Sequence, residues 1–197
     1  MIFLIIITHS IMKFINIFFE VNEPKSCFCL QHNKDNAPCY EDSCVELFLM
    51  NDSNEYLNFE FNALGFCLAA KGKDRFNRVP LRLEELQLLK RKSSMQQKEI
   101  FLSWNLDVSI PLAFFRNSQK LIGNIYKCAD MAETPHYLSL FPIDTEKPDF
   151  HRPEFFREIS DEIRSWIIEN KISIYDELTH RGLLRHVYIR YGEITKE

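Results

Sequence analysis

Apolar and polar positions alternate with a period of two over much of residues 43–141, the pattern of strands that bury one face. Residues 100–110 carry it most clearly: Ile100, Leu102, Trp104, Leu106, Val108 and Ile110 alternate with Phe101, Ser103, Asn105, Asp107 and Ser109. Trp104 falls on the apolar side and is read as core. Residues 44–49 and 56–62 alternate in the same way and flank the polar turn MNDSN, which predicts an antiparallel hairpin. By parity Glu46, Asn58, Glu60 and Asn62 share one face of that hairpin, opposite Val45, Leu47, Leu49, Leu57, Phe59 and Phe61. Residues 65–71 continue its second arm after a bend, and residues 121–128 and 136–141 are further strands. At the start, residues 2–8 and 11–21 predict two strands joined by a turn near His9 and Ser10. Phe14, Ile15, Ile17, Phe18 and Phe19 leave one face of the second strand wholly apolar.

The intervening segments are different. KGKDRFNRVP reads as a charged loop, LRLEELQLLKRKSSM mixes helical spacing with basic residues, and PLAFF predicts a turn or short helix. Short strands without alternating helices argue for a mainly β chain, an antiparallel β-sandwich. Residues 142–157 form a proline-punctuated loop, expected to be neither helix nor central strand, yet rich in aromatics and charges. The tail changes period: Ser160 is a candidate N-cap before Asp161 and Glu162, with Ile163, Trp166 and Ile167 at helical spacing. A second helical pattern runs through Ile174, Leu178 and residues 183–189, interrupted at Gly182 and ended at Gly192. The expected division is a sandwich over residues 1–159 and a helical extension over residues 160–197.

Composition narrows the classes. Hydrophobic residues are 46% and charged residues 26% of the 197, and 17 Phe stand against 5 Gly, which suits half-buried strands. A net charge of −4 gives no electrostatic reason to expect nucleic acid. No stretch approaches the ~20 apolar residues of a membrane helix. The opening MIFLIIITHSIMKFINIFFE has no Lys or Arg before its apolar run and no small-x-small cleavage site, so it reads as strand rather than signal peptide, and the location stays open. A chain beginning in mid-strand is read as N-terminally shortened. Cys27, Cys29, His32, Cys39 and Cys44 lack the paired C-x2-C knuckles of structural zinc, so the thiols are read as structural and no metal is assigned. His180 and His186 are read as solvated or structural.

YEDSCVELFL, NFEFNALG, YKC, HYLSLFPI and TEKPDFHRPEFF, in this order and spacing, resemble the carbohydrate-binding module family 9-like proteins of Bacteroides-type bacteria. The likeness runs from Phe14 to Ile159. It implies a β-sandwich that grips the end of a glucan or xylan chain, or a small sugar, in bacterial polysaccharide use alongside glycoside hydrolases. It further implies two aromatic rings clamping the sugar, at positions that fall on Tyr40 and Phe150. Glu46 and Asn62 match its hydrogen-bonding carboxylate and amide, and Glu60 stands where the family has an arginine. Both clamp positions have smaller rings than the family's tryptophans, and Leu140 stands where relatives carry tryptophan. The tail has no counterpart in the family. No cofactor is expected; a structural Ca²⁺ is implied by resemblance alone, with Asp35, Asp42 and Asp52 as oxygen donors in loops.

The residue chemistry agrees with such a use, since pyranose C–H faces stack on aromatic rings and hydroxyls need planar carboxylate and amide partners. The leading expectation is therefore a non-catalytic module whose ligand is an oligosaccharide or polysaccharide end. Catalysis by Glu46 and Glu60 would need a carboxyl spacing that any pair on neighbouring strands can meet. A haem-binding sandwich would need an axial pair such as His136 with Met131. The alternative kept beside the sugar module is a protein-interaction module in which the sandwich is a remnant and the helical tail binds a partner.

Overall fold

The computed structural model describes residues 2–10, 14–116, 118, 121–141, 148–150, 154–173 and 181–184. Its strands are β1 (Ile2–Ser10), β2 (Phe14–Pro24), β3 (Cys44–Asn51), β4 (Tyr56–Asn62), β5 (Cys67–Gly72), β6 (Arg78–Pro80), β7 (Lys90–Gln97), β8 (Phe101–Pro111), β9 (Leu121–Cys128) and β10 (Tyr137–Ser139). They form two antiparallel sheets, one in the order β1-β2-β8-β7 and the other β10-β9-β3-β4-β5-β6. The expected antiparallel β-sandwich is what the chain forms.

The core lies between the sheets. Ile17, Phe19 and Val21 of β2 and Trp104, Leu106, Val108 and Ile110 of β8 meet Val45, Leu47, Leu57, Phe59, Phe61 and Ile125 from the other side. The β3, β4 and β8 residues among them are positions that the period of two assigned inward, and Trp104 is buried as expected. At one end polar groups join the layers: the Trp104 indole donates to Glu23 Oε1 at 2.7 Å, and Lys127 Nζ of the other sheet lies 3.0 Å from Glu23 Oε2. Glu23 and Lys127 have no exposed surface, and His136 Nε2 completes the group, 3.4 Å from Glu23 Oε2 and 2.9 Å from Lys127 Nζ, so the buried charges depend on one another.

Several boundaries move. β2 runs to Pro24 rather than ending near residue 21, because all eleven of its residues find partners on β8. His9 and Ser10, where the turn was expected, are strand residues paired with Ile15 and Phe14, and residues 11–13 lie outside the described residues. The supposed helical stretch after residue 80 contains one helical turn, α1 (Leu83–Leu86), and then becomes β7. KRKSSMQQ has no apolar alternation; it is a strand because β8 supplies the ladder from Lys90–Ser109 to Gln97–Leu102. At a sheet edge its basic side chains cost little and discourage further pairing.

Contacts divide the chain into Met1–Arg152 and Pro153–Glu197. In the second unit α2 (Glu154–Glu169) begins six residues before Ser160, which is therefore inside the helix rather than its cap. The last residues of the supposed 142–157 loop are accordingly helical. Lys171 takes a left-handed φ of 52°, and the Ile172 amide donates back to the Ile167 carbonyl, closing the helix end. The second helical pattern falls mostly on residues 174–180 and 185–197, outside the described residues.

Candidate functional site

The outward face of β3, β4 and β9 is a polar row under cover. Register places Glu46 directly across from Glu60 on one side and Tyr126 on the other. One pair along, Phe48 stands between Asn58 and Asn124; one pair back, Cys44 stands between Asn62 and Cys128. An outward strand face would ordinarily be wet, and the sequence pattern allowed Glu46 and Glu60 to be water-facing. Instead each is 4% exposed, and Asn58 and Asn62 are buried with them. Phe48, Tyr56 and Tyr126 pack together on this face, with Phe150 against them.

Burial leaves polar atoms unsatisfied. Glu46 Oε2, Tyr56 OH, Asn58 Nδ2 and Glu60 Oε2 are all out of contact with water and have no protein hydrogen-bond partner. Native interiors pair nearly all such atoms, and an orphaned one costs about 1–3 kcal/mol. Four within one patch of neighbouring strand positions form a site whose hydrogen bonds a ligand can complete. Two surface hollows elsewhere, one bordered by Glu55, Lys71, Glu85 and Phe114 and one by Glu20, Asn22, Ser103 and Asn105, contain none of these four atoms.

The electrostatics reflect the crowding. Burial pushes the Glu46 carboxyl up to about 7, opposed by the charges of Arg75 and Arg78. Burial, then repulsion by Glu46, pushes Glu60 up to about 8. Both acids thus hold protons that exposed glutamates would have lost, and can donate as well as accept. Arg78 donates to the Asn58 carbonyl oxygen, fixing that amide with its Nδ2 left over. Arg75 lies over the Phe48 ring, 5.5 Å from its centroid, and donates to the Pro148 carbonyl. Sequence reading passed over both arginines as loop charges; they are functional neighbours only because β5 and β6 fold back onto β4.

The two aromatic candidates sit toward opposite ends of the row. Phe150 packs edge-on against Tyr56, with centroids 6.0 Å apart. Tyr126 secures the same segment, donating to the Asp149 carbonyl at 2.9 Å and accepting from the Asp149 amide at 3.1 Å. Tyr40 lies at the Cys44 and Cys128 end, where its carbonyl accepts from the Asp130 amide, and its side chain is 40% exposed. Burial, then the charges of Glu41, Glu60 and Asp130, raise its hydroxyl. Tyr137 adds a third ring, exposed like Tyr40 and interacting with Asp130, at a position to which the sequence drew no attention.

Asn62 has a different use from the one expected. Its Nδ2 donates to the His32 carbonyl at 2.8 Å and to Asp42 Oδ2 at 2.9 Å, while its Oδ1 accepts from the Leu64 and Phe66 amides. Both donors and both acceptor positions are engaged inside the protein, so this amide holds the flanking loops. Asp42 accepts the Gln31 and His32 amides as well. Asp35 is locked by Arg91, with bonds of 2.6 and 2.9 Å, and by the Cys67 amide; Asp52 accepts from Ser118. The three acids considered for calcium are thus held by protein donors, and among the described residues they form no metal-ligating group. His136, half of the haem alternative, has Nε2 2.9 Å from Lys127 Nζ, while Met131 is exposed.

All six cysteines are free, and all but Cys29 are buried. Cys39, Cys44 and Cys128 cluster beside the acidic pair, and burial holds the Cys44 and Cys67 thiols well above their usual range. The supposed set from Cys27 to Cys44 does not assemble among the described residues, whereas Cys128 joins Cys44 from across the ladder.

Comparison with known proteins agrees with this architecture. The family description carbohydrate-binding family 9 matches residues 4–160. The crystal structure of a proposed carbohydrate-binding protein from Bacteroides uniformis is similar, with 34% identity, a TM-score of 0.59, and coverage of 76% of this chain and 73% of that one. No curated protein matches. With most of its length matched, the chain belongs to carbohydrate-binding family 9.

Proposed function

We propose that this chain is a non-catalytic module that binds the end of a glucan or xylan chain, or a small sugar, on the outward face of β3, β4 and β9. The observation that carries the reading is the group of four buried, unpartnered polar atoms on Glu46, Tyr56, Asn58 and Glu60. A sugar brings what they lack, since each hydroxyl both donates and accepts and several lie on one ring. Tyr40 and Phe150 supply the apolar faces that flank that row, and Asn62 acts behind it by holding the loops. The family membership and the Bacteroides uniformis relative support the same class of ligand.

The 148–150 segment lies on the face through Tyr126, Arg75 and Phe150. Sugar entry therefore displaces these contacts, and the orphaned atoms make the exchange favourable by gaining partners. Nothing in the chemistry requires bond cleavage: Glu46 and Glu60 share one environment, so neither is set apart as acid against base.

Calorimetric titration with glucose, xylose, cellobiose and xylobiose tests the proposal, with Tyr40→Ala and Glu60→Gln beside the parent. Binding in the micromolar to millimolar range, weakened about tenfold or more by either change, is the expected result. Absence of heat with all four sugars, from protein shown to be folded, would overturn it and turn attention to the tail as a partner-binding element.

A further inference from the structure

Beneath the Tyr40 end of the acidic row, two thiols and a carboxyl meet. Cys44 of β3 stands directly across the ladder from Cys128 of β9, and Glu46 follows two residues later on the same face. One donor atom from each, the two Sγ atoms and a Glu46 oxygen, all lie within 4.8 Å of one another. The Cys128 thiol lies 3.3 Å from Glu46 Oε1. All three residues are buried, Cys44 completely and the other two at 4% exposed, and Glu46 Oε2 has no partner.

We infer that Cys44, Glu46 and Cys128 form a binding site for a single thiophilic divalent cation, zinc in the first place. The Cys128–Glu46 spacing is already close to that of a bound state. With Zn–S near 2.3 Å and Zn–O near 2.0 Å, tetrahedral edges are about 3.8 Å for sulfur to sulfur and about 3.5 Å for sulfur to oxygen. A 3.3 Å approach of Cys128 to Glu46 needs only a few tenths of an ångström of adjustment. Two thiolates with one carboxylate favour a borderline-soft ion over calcium or magnesium, which prefer all-oxygen cages. The fourth position falls to a water molecule, which leaves the orphaned Oε2 of Glu60, on the residue directly across from Glu46, to the ligand above. A metal held through one Glu46 oxygen leaves the other free to meet a ligand above it. In forming the site, two S–H bonds and the Glu46 O–H bond break, two S–Zn bonds and one O–Zn bond form, and three protons leave to the buffer. No electron moves, so the protein needs only to be kept reduced.

The site is tested without any sugar, so its outcome is separable from that of the calorimetry. The full chain, stripped with a chelator and kept reduced with a phosphine, is titrated with Co²⁺. Saturation at one ion per chain is expected, with thiolate-to-cobalt charge-transfer absorption and the strong visible bands of tetrahedral cobalt, all lost on adding Zn²⁺. Cys128→Ser should remove the charge-transfer band or weaken ion binding at least a hundredfold, while Cys27→Ser and Cys29→Ser leave both unchanged. X-ray absorption of the zinc-loaded parent gives a reading that depends on no variant: two sulfur neighbours near 2.3 Å beside oxygen neighbours are expected. No charge-transfer band, a band that follows Cys27 or Cys29, or a shell without sulfur would overturn the assignment.

Discussion

Glu46 and Glu60 show what a residue can be made to bear when its surroundings are built for something else. A glutamate two positions along an alternating strand is ordinarily solvated, yet these two are covered and lack partners. Keeping them costs stability, and the cost depends on pH. The Glu60 carboxyl is raised from 4.5 to about 8, so the folded state holds its proton more tightly than the unfolded chain does. That contribution is fully present below the unfolded value and is lost as pH rises through the folded one. In chelator-treated protein, Glu60→Gln should therefore gain in Tm relative to the parent as pH rises from about 4.5 to about 8. Parallel Tm curves across that window would show that the acid is not strained. Legibility at this scale was partial. Parity put Glu46, Asn58 and Glu60 on one face, as the structure has them, but put Asn62 there as an equal. Its inward hydrogen bonds depend on where the His32 and Asp42 loop returns, thirty and twenty residues away, which no local pattern reports.

Among elements, β5 and β6 do the most to shape the site while being the least regular in sequence. Gly72 closes the first of them so tightly that an added Cβ would stand 2.1 Å from the Asn77 carbonyl oxygen and 2.5 Å from the Arg78 Cα. Both atoms belong to the backbone, so neither can swing aside. Gly72→Ala should push β6 outward, draw Arg78 from Asn58 and cost about 1–3 kcal/mol in denaturant unfolding. It should also weaken sugar binding through the Asn58 amide; unchanged stability and affinity together would argue against this role. β7 makes the complementary point. Its sequence carries no strand periodicity, and only the ladder with β8 makes it a strand. Helical spacing in LEEL was real but lasted one turn.

For the whole molecule, the two sheets are fastened at one end by Glu23, which takes the Trp104 indole from its own sheet and Lys127 from the opposite one. Lys127→Ala would leave the buried Glu23 carboxylate with only His136, 3.4 Å away, as a counter-charge, a loss of about 3–5 kcal/mol, less where His136 takes up a proton, measurable by denaturant unfolding. Lys127→Ala with Glu23→Gln should recover part of it, whereas a double variant no better than the single would show that packing, not charge, is at stake. Pro153–Glu197 is a separate unit by its contacts, while Tyr40, Glu46, Asn58, Glu60 and Phe150 all belong to Met1–Arg152. Removal of residues 153–197 should therefore leave sugar titrations within about twofold of the full chain. Sugar binding that disappeared with the tail, from protein shown to be folded, would overturn the assignment of the site to Met1–Arg152 alone.

By itself the sequence determined the strands of both sheets that alternate strongly, the inward row with Trp104, and the shared face of Glu46, Asn58 and Glu60. These follow from a two-residue period, and sterics enforce that period locally, whatever lies beyond. Tertiary structure alone decided that the polar face is covered, that Arg75 and Arg78 stand over it, and that Asn62 turns to the loops. It also decided that Cys128 meets Cys44, and that Lys127 finds Glu23 across the interior. Each of these joins residues far apart in the chain through strand register and sheet packing. Such contacts are set by how all the apolar rows are buried at once, and no single segment carries that information.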